Sequence, residues 1–566
     1  MTALLLRALS SLHWAPAHWV CAPLLACALY LAGLGAVPLQ LSDEPREAEI
    51  AREMWVTGPL DVPRLNGRPY VIKPPLAYWA AAGVFALAGD PTPGEGLVRL
   101  PSALFTLGSA ALVALVGWRW LSLRHGLLAA LILCASPGVL SHGRRFTSDP
   151  ALAFGVSVAI GAGLCALRAE GTRRALLMAV GGGVGLALGF LAKGPIAPAL
   201  VGATLLAAVL VARGPRGLVA GRPLLVAGTL LALLAPAALL WAWLLERAGG
   251  EALQQFVLDY HARGLTGEGD PALGPPPHVR EWWYYLVHGP DGFLPWLLFL
   301  PLLLLARGAP ASPASAEAGP APSPRRLLAV WALAPLVFLT LLSQKRTVYA
   351  LPLYPPLALL AACALLDPLP AGWPRLTSGL RTAWRVLGPG AALGAGGVAL
   401  WGLASREPRA LLLLVLGGLI LALVRRDARE RAAPLPYPFG TVSAVALLIL
   451  GLLVVVEPLA RQERTLRPFA RELAAQLAEE PRAELHGFRI SDDTGRVDGA
   501  VAFELGRTFP VVPDAPALQA LLRADPQARV LMDLPEWERE GRPGRVVASF
   551  RTYRRELVLV AREERP

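Results

Sequence analysis

The chain of 566 residues carries a formal charge of +12 at pH 7, yet only 17% of it is charged and its mean hydropathy is +0.49. Soluble domains are about a quarter charged, so this composition excludes a soluble globular chain and describes a polytopic α-helical membrane protein. The surplus of basic residues belongs to topology, because Lys and Arg collect in cytoplasmic loops, and no nucleic-acid partner is expected.

The first apolar run, about 19 to 41, follows a short segment containing Arg7. It is too long for a signal peptide and has no small-residue cleavage site, so it reads as a retained first span. The stretch "LSDEPREAEIAREMW" (41–55) then places Ala48, Ala51, Met54 and Trp55 on one helical face, opposite Arg46, Glu47, Glu49, Arg52 and Glu53. That pattern predicts an amphipathic helix lying in the interface plane with its charged face wet. Ser42 or Asp43 can cap it and Pro45 fits its first turn, which leaves Asp43 open between a cap and a catalytic carboxylate.

In "KPPLAYWAAAGVFALAG" (73–89) about 16 residues follow Lys73, short of the roughly 20 that cross a ~30 Å hydrocarbon core. This segment is assigned to the interface. Further spans are expected near 99–118, 124–141, 148–168, 175–192, 195–212, 223–245, 293–306, 327–343, 348–366, 386–404, 409–424 and 440–457. With the first run they make about 13.

With that count every second loop is basic: Arg119 and Arg124, Arg173 and Arg174, Arg213 and Arg216, Arg325 and Arg326, Arg381 and Arg385, Arg425 and Arg426. Those loops are cytoplasmic by the positive-inside rule. The amino terminus is then cytoplasmic and the carboxyl terminus outside. The outer side holds 42–98, 142–148, the turn at Lys193, 246–292, 343–348 and the tail 458–566.

Residues 306–326 are rich in Pro, Ala and Ser and read as a flexible linker. The tail alternates helix-like "RPFARELAAQLAEE" and "APALQALLRAD" with strand-like "RVLMDL" and "RVVASFRTYRRELVLV". A transmembrane unit, 1–457, and a small α/β domain, 458–566, are expected.

Cations on the outer side break the positive-inside rule: Arg144 and Arg145, Lys193, Lys345 and Arg346, Arg406 and Arg409, with Lys73, Arg263 and Arg280 in the longer loops. Some are snorkelling helix ends, the reading preferred for Arg406 and Arg409. Lys73, wedged before Pro-Pro, is not, and a cationic pocket at the membrane surface suits a lipid-linked phosphate. Asp149, directly before Pro150, has the form of an ordinary helix start.

His261, Glu268, Asp270 and His278 match no zinc spacing, and the five cysteines lie in apolar segments without paired spacing. No metal site, cofactor or disulfide framework is expected. There is no phosphate-binding Gly-rich loop, and "GGGVG" (181–185) reads as a close helix contact.

In combination, "DEPREAEIAREM…TGPLDVPRLNGRPYVIKPPLAYW", "RLPSAL", "SPGVLSHGRRFTSDPALAF", "FLAKGP" and "SQKRTVYALPLYPPLALL" resemble, in order, the bacterial glycosyltransferases of the GT-C fold class that act on polyprenyl-phosphate sugars. These are the lipid A aminoarabinose transferases and their protein O-mannosyltransferase relatives, and the resemblance covers roughly residues 19–366. It implies 13 spans, a surface helix after "KPP", and an outer carboxyl-terminal domain in the bacterial inner membrane. It also implies that Asp43 with Glu44 forms a catalytic acidic pair, that Asp149 is the second acidic position, and that Lys73 holds the carrier phosphate beside Tyr70. Arg46, Arg263, Lys345, Arg346 and Tyr349 match less closely as donor-pocket groups. The sequence departs from the pattern at Glu47, where an aromatic is usual, and at Ile72, where an acid is usual.

The implied reaction is inverting transfer of a sugar from a polyprenyl-phosphate donor to a lipid, glycan or protein acceptor at the periplasmic face. Asp43 acts as a base if the acceptor is a hydroxyl and as a positioning group if it is an anion. A transporter or flippase is the alternative, disfavoured because its ionisable groups would sit near the midplane. A membrane scaffold is a third, disfavoured by the clustering of charged motifs in separate outer turns.

Overall fold

The computed structural model describes residues 16–39, 43–58, 61–90, 92–262, 278–305, 323–367, 374–427, 438–460, 467–489, 496–551 and 556–563. Arg263, Glu268, Asp270 and most of the linker expected at 306–326 lie outside the described residues.

The chain is a multi-pass, predominantly helical protein. Among the described residues nine helices are long and apolar enough to cross a membrane, or up to 11 if each of two bent pairs is one span. In order the helices are α1 (Pro16–Leu31), α2 (Glu44–Thr57), α3 (Leu76–Ala88), α4 (Glu95–Trp120), α5 (Leu123–Cys134), α6 (Pro137–Gly143), α7 (Asp149–Arg168), α8 (Thr172–Lys193), α9 (Ile196–Arg213) and α10 (Gly221–Ala248). After the loop come α11 (Pro324–Leu341), α12 (Tyr354–Leu366), α13 (Pro374–Ala404), α14 (Ala410–Asp427) and α15 (Pro438–Gly451).

Two of the expected spans are broken. The run 124–141 divides into α5 and α6, bent by 64°, and 293–306 belongs to a pair bent by 101°. At the first break Pro137 is the cause: it disfavours helical backbone at the residue before it, and Ser136 is extended at φ −79°, ψ 127°. The spans α7 and α8 meet through glycine, since a Cβ on Gly155 would lie 2.5 Å from the Gly189 nitrogen and one on Gly185 2.8 Å from the Ala159 nitrogen. The glycine run at 181–185 thus sits in a close helix contact, as small residues do where backbones approach.

The 13 residues of α3 rise roughly 20 Å, too short for a crossing. Ala77, Tyr78, Ala81 and Phe85 on α3 pack with Ala48, Ile50, Ala51 and Met54 of α2 in one buried cluster that also takes in Val98, Phe146 and Phe503. Between the two helices a small hairpin pairs β1 (Arg64–Leu65) with β2 (Arg68–Pro69).

Beyond residue 466 the elements include α16 (Arg467–Glu479), β3 (Glu484–Gly487), α17 (Arg496–Leu505), α18 (Ala515–Ala524), β4 (Ala528–Asp533), β5 (Arg545–Arg551) and β6 (Glu556–Ala561). They form a four-stranded sheet of order β3-β4-β6-β5, with β3 parallel to β4 and the other pairs antiparallel. Phe469, Leu473, Leu518, Leu522, Val530, Met532, Leu557 and Leu559 fill a separate core. The strand-like run "RVVASFRTYRRELVLV" holds β5 and all but the last residue of β6.

The expectation for α2 is corrected here. Glu44, Arg46, Glu47, Glu49, Arg52 and Glu53 are all buried, so this helix has no wet face. Its charged side is covered by α17: a Cβ on Gly499 would lie 3.0 Å from the Arg46 Cα, and Arg52 donates to the Gly506 carbonyl at 2.9 Å. An amphipathic pattern identifies the face away from the apolar neighbours; it does not say whether water or protein fills it. Burial demands partners for these charges. Arg52 makes two 2.7 Å bonds to Glu49, and Glu53 accepts the Gly67 amide at 2.9 Å.

Candidate active site

Glu44 opens α2 and is fully buried. Arg99, one turn into α4, grips it with two hydrogen bonds of 2.7 and 2.9 Å, and the Phe146 amide donates to it at 3.1 Å. The remaining donors of Arg99 reach the carbonyls of Leu34, Val37 and Pro38 at 2.9, 2.6 and 3.1 Å. A planar guanidinium with five donors is suited to such a junction. The junction ties the exit of α1, the start of α2, the entry of α4 and the 142–148 turn into one frame, and it places Glu44 beside Arg99 rather than beside Lys73.

Asp43, the residue before α2, makes no capping hydrogen bond with its side chain. Its carboxylate instead accepts from Arg46 at 3.2 Å and from both terminal nitrogens of Arg346 at 3.2 and 3.3 Å. The capping alternative is therefore not realised. Asp43 faces guanidinium groups delivered from α2 and from the turn before α12.

Arg46 also donates to Glu47 at 3.0 Å, and its guanidinium lies 5.4 Å from the centre of the Tyr70 ring. Glu47 is the residue that receives Lys73: its carboxylate takes the Lys73 ammonium and the Tyr78 hydroxyl together. Burial alone would raise the Glu47 carboxyl, but Lys73 and Arg46 overcome it and hold the group below its ordinary range. The same balance acts on Lys73, where burial opposes the charge and the Glu47 carboxylate outweighs it, so its pKa lies above that of an ordinary lysine. Tyr70 meets Tyr78 edge to face at 6.4 Å, and its hydroxyl is pushed up by burial.

Asp149 starts α7 and pairs with Lys193 at the end of α8. The Lys193 ammonium also lies 4.4 Å from the centre of the Tyr349 ring, a cation–π distance. Arg346 is the hinge between the two acidic positions, feeling Asp43, Tyr349 and Asp149, and its pKa is raised by them against the cost of burial. Tyr260 lies within electrostatic reach of Lys73, Lys193 and Arg46.

The structure thus gathers Asp43, Arg46, Tyr70, Lys73, Asp149, Arg346 and Tyr349, from three separate segments of the chain, into one cluster. Two further members are Glu47, which is not among the expected site residues, and Lys193, which the sequence marks only as one of the cations breaking the positive-inside rule. Glu47 follows Asp43 by four positions, so the two share a face of α2, and a lysine buried before Pro-Pro needs a carboxylate; those were the available signals. Lys345 is set apart: its ammonium caps the Arg280 carbonyl at 3.1 Å and the Leu342 carbonyl, and its amide donates to His278 at 3.0 Å. His261 is bonded through Nδ1 to the Phe256 carbonyl at 2.7 Å and packs on the Phe256 ring.

Chemically, the cluster sets four cations, Arg46, Lys73, Lys193 and Arg346, against three carboxylates, Asp43, Glu47 and Asp149. The formal excess of one positive charge complements a single phosphodiester anion.

Residues 72–242 match the family of dolichyl-phosphate-mannose-protein mannosyltransferases. The undecaprenyl phosphate-alpha-4-amino-4-deoxy-L-arabinose arabinosyl transferase 1 of Pseudomonas fluorescens is 32% identical over 351 residues, 61% of this chain and 59% of that protein. The corresponding transferase of Aeromonas hydrophila is 31% identical over 355 residues, 62% of this chain and 60% of its own length. The matched region thus spans about three fifths of these relatives. Among solved structures, ArnT from Cupriavidus metallidurans bound to undecaprenyl phosphate superposes with a TM-score of 0.68 at 23% identity, covering 96% of this chain and 98% of that one. The oligosaccharyltransferase AglB from Archaeoglobus fulgidus, in complex with an inhibitory peptide and a dolichol-phosphate, gives 0.51 at 14% identity over 92% and 70% of the two chains. Both show the same fold.

Proposed function

We infer that this chain, whose residues 72–242 match the dolichyl-phosphate-mannose-protein mannosyltransferase family and whose fold is shared with ArnT and AglB, is a glycosyltransferase of the GT-C class. It moves one sugar from a polyprenyl-phosphate donor to an acceptor at the periplasmic face of the inner membrane. The observation that carries this reading is the convergence of Asp43, Lys73, Asp149 and Arg346 on one outer cluster with an excess of positive charge.

In this reading the acceptor atom attacks the anomeric carbon, the bond from that carbon to the phosphate oxygen breaks, and configuration inverts. The lipid phosphate leaves with an added negative charge. Lys73 and Arg46 are the groups proposed to meet it, since cations already fixed in a water-poor site stabilise developing charge without reorganising. Glu47 keeps Lys73 charged while the site is buried. Where the acceptor is a hydroxyl, Asp43 takes its proton; where it is a lipid phosphate, Asp43 and Arg346 orient the sugar. Glu44 keeps Asp43 in place through Arg99, and no cofactor or metal is invoked.

The two relatives act, by their names, on an undecaprenyl phosphate-linked aminoarabinose, which supports a lipid acceptor of the lipid A class for this chain; a glycan or protein acceptor is the alternative. We also propose the full topology: α1 and α14 as the first and twelfth of 13 spans, the amino terminus in the cytoplasm, and residues 458–566 as an outer α/β domain lying on α2.

The test is transfer in proteoliposomes. Asp43→Asn and Lys73→Ala each abolish it while the protein still inserts; near-normal turnover in either variant sinks the assignment. Mass spectrometry of envelope lipids and glycans from cells lacking the protein identifies the molecule that loses a sugar.

A further inference from the structure

A cavity of about 290 Å³ opens between the exit of α1, α6 and the segment that follows α15. Arg99, Arg144, Arg145 and Glu457 supply its polar lining, and Leu452 and Leu453 its apolar floor. None of the groups of the transfer cluster lines it. The Glu44–Arg99 junction links the two, because Arg99 is common to the cavity wall and to the grip on Glu44.

Arg144 is fixed by the carbonyls of Leu29, in the last turn of α1, and, at 2.9 Å, of Ala32 just past it, where unsatisfied carbonyls favour a cation. In its lining three guanidinium groups meet one carboxylate, Glu457, while Glu44 and Glu95 act on Arg99 from outside that lining. Leu452 is 44% exposed on the flank of the last span, so the apolar floor continues to the outside of the helix bundle. Arg144 and Arg145 are cations that the positive-inside rule would not place on the proposed outer side, and the proposed transfer does not use them.

We propose that this cavity binds the phosphate headgroup of an anionic lipid, with an acyl chain running along Leu452 and Leu453. A guanidinium pair above an apolar wall is the chemistry that recognises a phosphate at the membrane surface. The ligand is a bilayer phospholipid or the anionic lipid acceptor of the proposed transfer; binding itself does not rest on that transfer reading.

The test is native mass spectrometry of the full-length protein, purified in detergent and offered phosphatidylglycerol or phosphatidylcholine with the same acyl chains. The wild type retains phosphatidylglycerol preferentially. Arg145→Gln, which removes charge, and Leu453→Trp, which fills the cavity, each lower that retention about tenfold, while binding of undecaprenyl phosphate is unchanged. Displacement of phosphatidylglycerol by added bisphosphorylated lipid A identifies the acceptor as occupant; its persistence identifies a bilayer phospholipid. Equal retention of both lipids by the wild type, or unaltered retention in both variants, overturns the site. Loss of undecaprenyl phosphate binding alone counts against the transfer reading and leaves this one standing.

Discussion

Glu47 and Lys73 are joined by a buried ion pair although 26 positions separate them, and the Tyr78 hydroxyl completes the contact. Removing one member of a buried pair strands the other charge at a cost of about 3–5 kcal/mol. Glu47→Ala therefore lowers the apparent melting temperature in detergent sharply, and Glu47→Ala/Lys73→Met recovers much of the loss. Transfer does not return in the double variant, because the cation proposed to meet the phosphate is gone. A double variant no more stable than the single one contradicts the pairing.

The same pair fixes a pH dependence. The folded-state pKa of Glu47 lies below the ordinary value of 4.5, so its contribution to stability is present above that value and is lost as pH falls through the folded pKa. Melting profiles recorded from pH 6 down to pH 3 show an acid-side fall in the wild type that is shallower in Glu47→Gln. Parallel profiles for the two proteins show that Glu47 is not the titrating group.

Arg346 and Lys345 are neighbours in sequence with opposite assignments. Arg346 presents two nitrogens to Asp43, whereas Lys345 caps loop carbonyls. Arg346→Lys loses the fork geometry that lysine cannot reproduce and reduces kcat at least about tenfold, the equivalent of roughly 1.4 kcal/mol in the barrier. Lys345→Met leaves kcat within about threefold and acts on stability instead. Equal effects on kcat mean that the turn is needed as a whole and that Arg346 has no special place in it.

Much of this was legible in the chain and the remainder was not, for identifiable reasons. Spans are set by local hydrophobic length, so α4, α7, α8, α9 and α10 lie within a few residues of where the sequence puts them. The gathering of Asp43, Lys73, Asp149 and Arg346 agrees with placing their turns on one side of the membrane, as the charge pattern and the family resemblance imply. What composition could not reveal was which carboxylate meets which cation. Asp43, Glu44 and Glu47 fall within five consecutive positions at the start of α2, and their division between Arg346, Arg99 and Lys73 depends on side-chain geometry. The burial of the charged face of α2 depends on α17, more than 400 positions away.

That contact gives a prediction of its own. Gly499 lies against the backbone of Arg46, where an added Cβ would come within 3.0 Å of the Arg46 Cα and 3.2 Å of Leu65. Gly499→Leu forces α17 away from α2, at a cost of about 1–3 kcal/mol for an overpacked contact, and uncovers Arg46, Glu49 and Arg52. The expected readout is faster protease cleavage within residues 43–58 and reduced transfer, with the span region still inserted. Unchanged cleavage and transfer mean that the tail domain does not hold the site loop.

The role of Glu44 can be separated from that of Asp43 through its partner. If Glu44 acts only by bonding to Arg99 and the Phe146 amide, then Glu44→Ala fails because it leaves a guanidinium buried among the Leu34, Val37 and Pro38 carbonyls without its counter-charge. Replacing both members by apolar residues of similar size removes that penalty, as isosteric replacement of a buried pair commonly does. Glu44→Leu/Arg99→Met is therefore expected to restore most of the stability lost in Glu44→Ala and, with Asp43 back in place, to return a measurable part of the transfer rate. Stability restored without any transfer makes Glu44 a participant in the reaction, as the resemblance implies. Transfer restored along with stability makes it a positioning residue, and leaves Asp43 and Asp149 as the acidic groups of the chemistry.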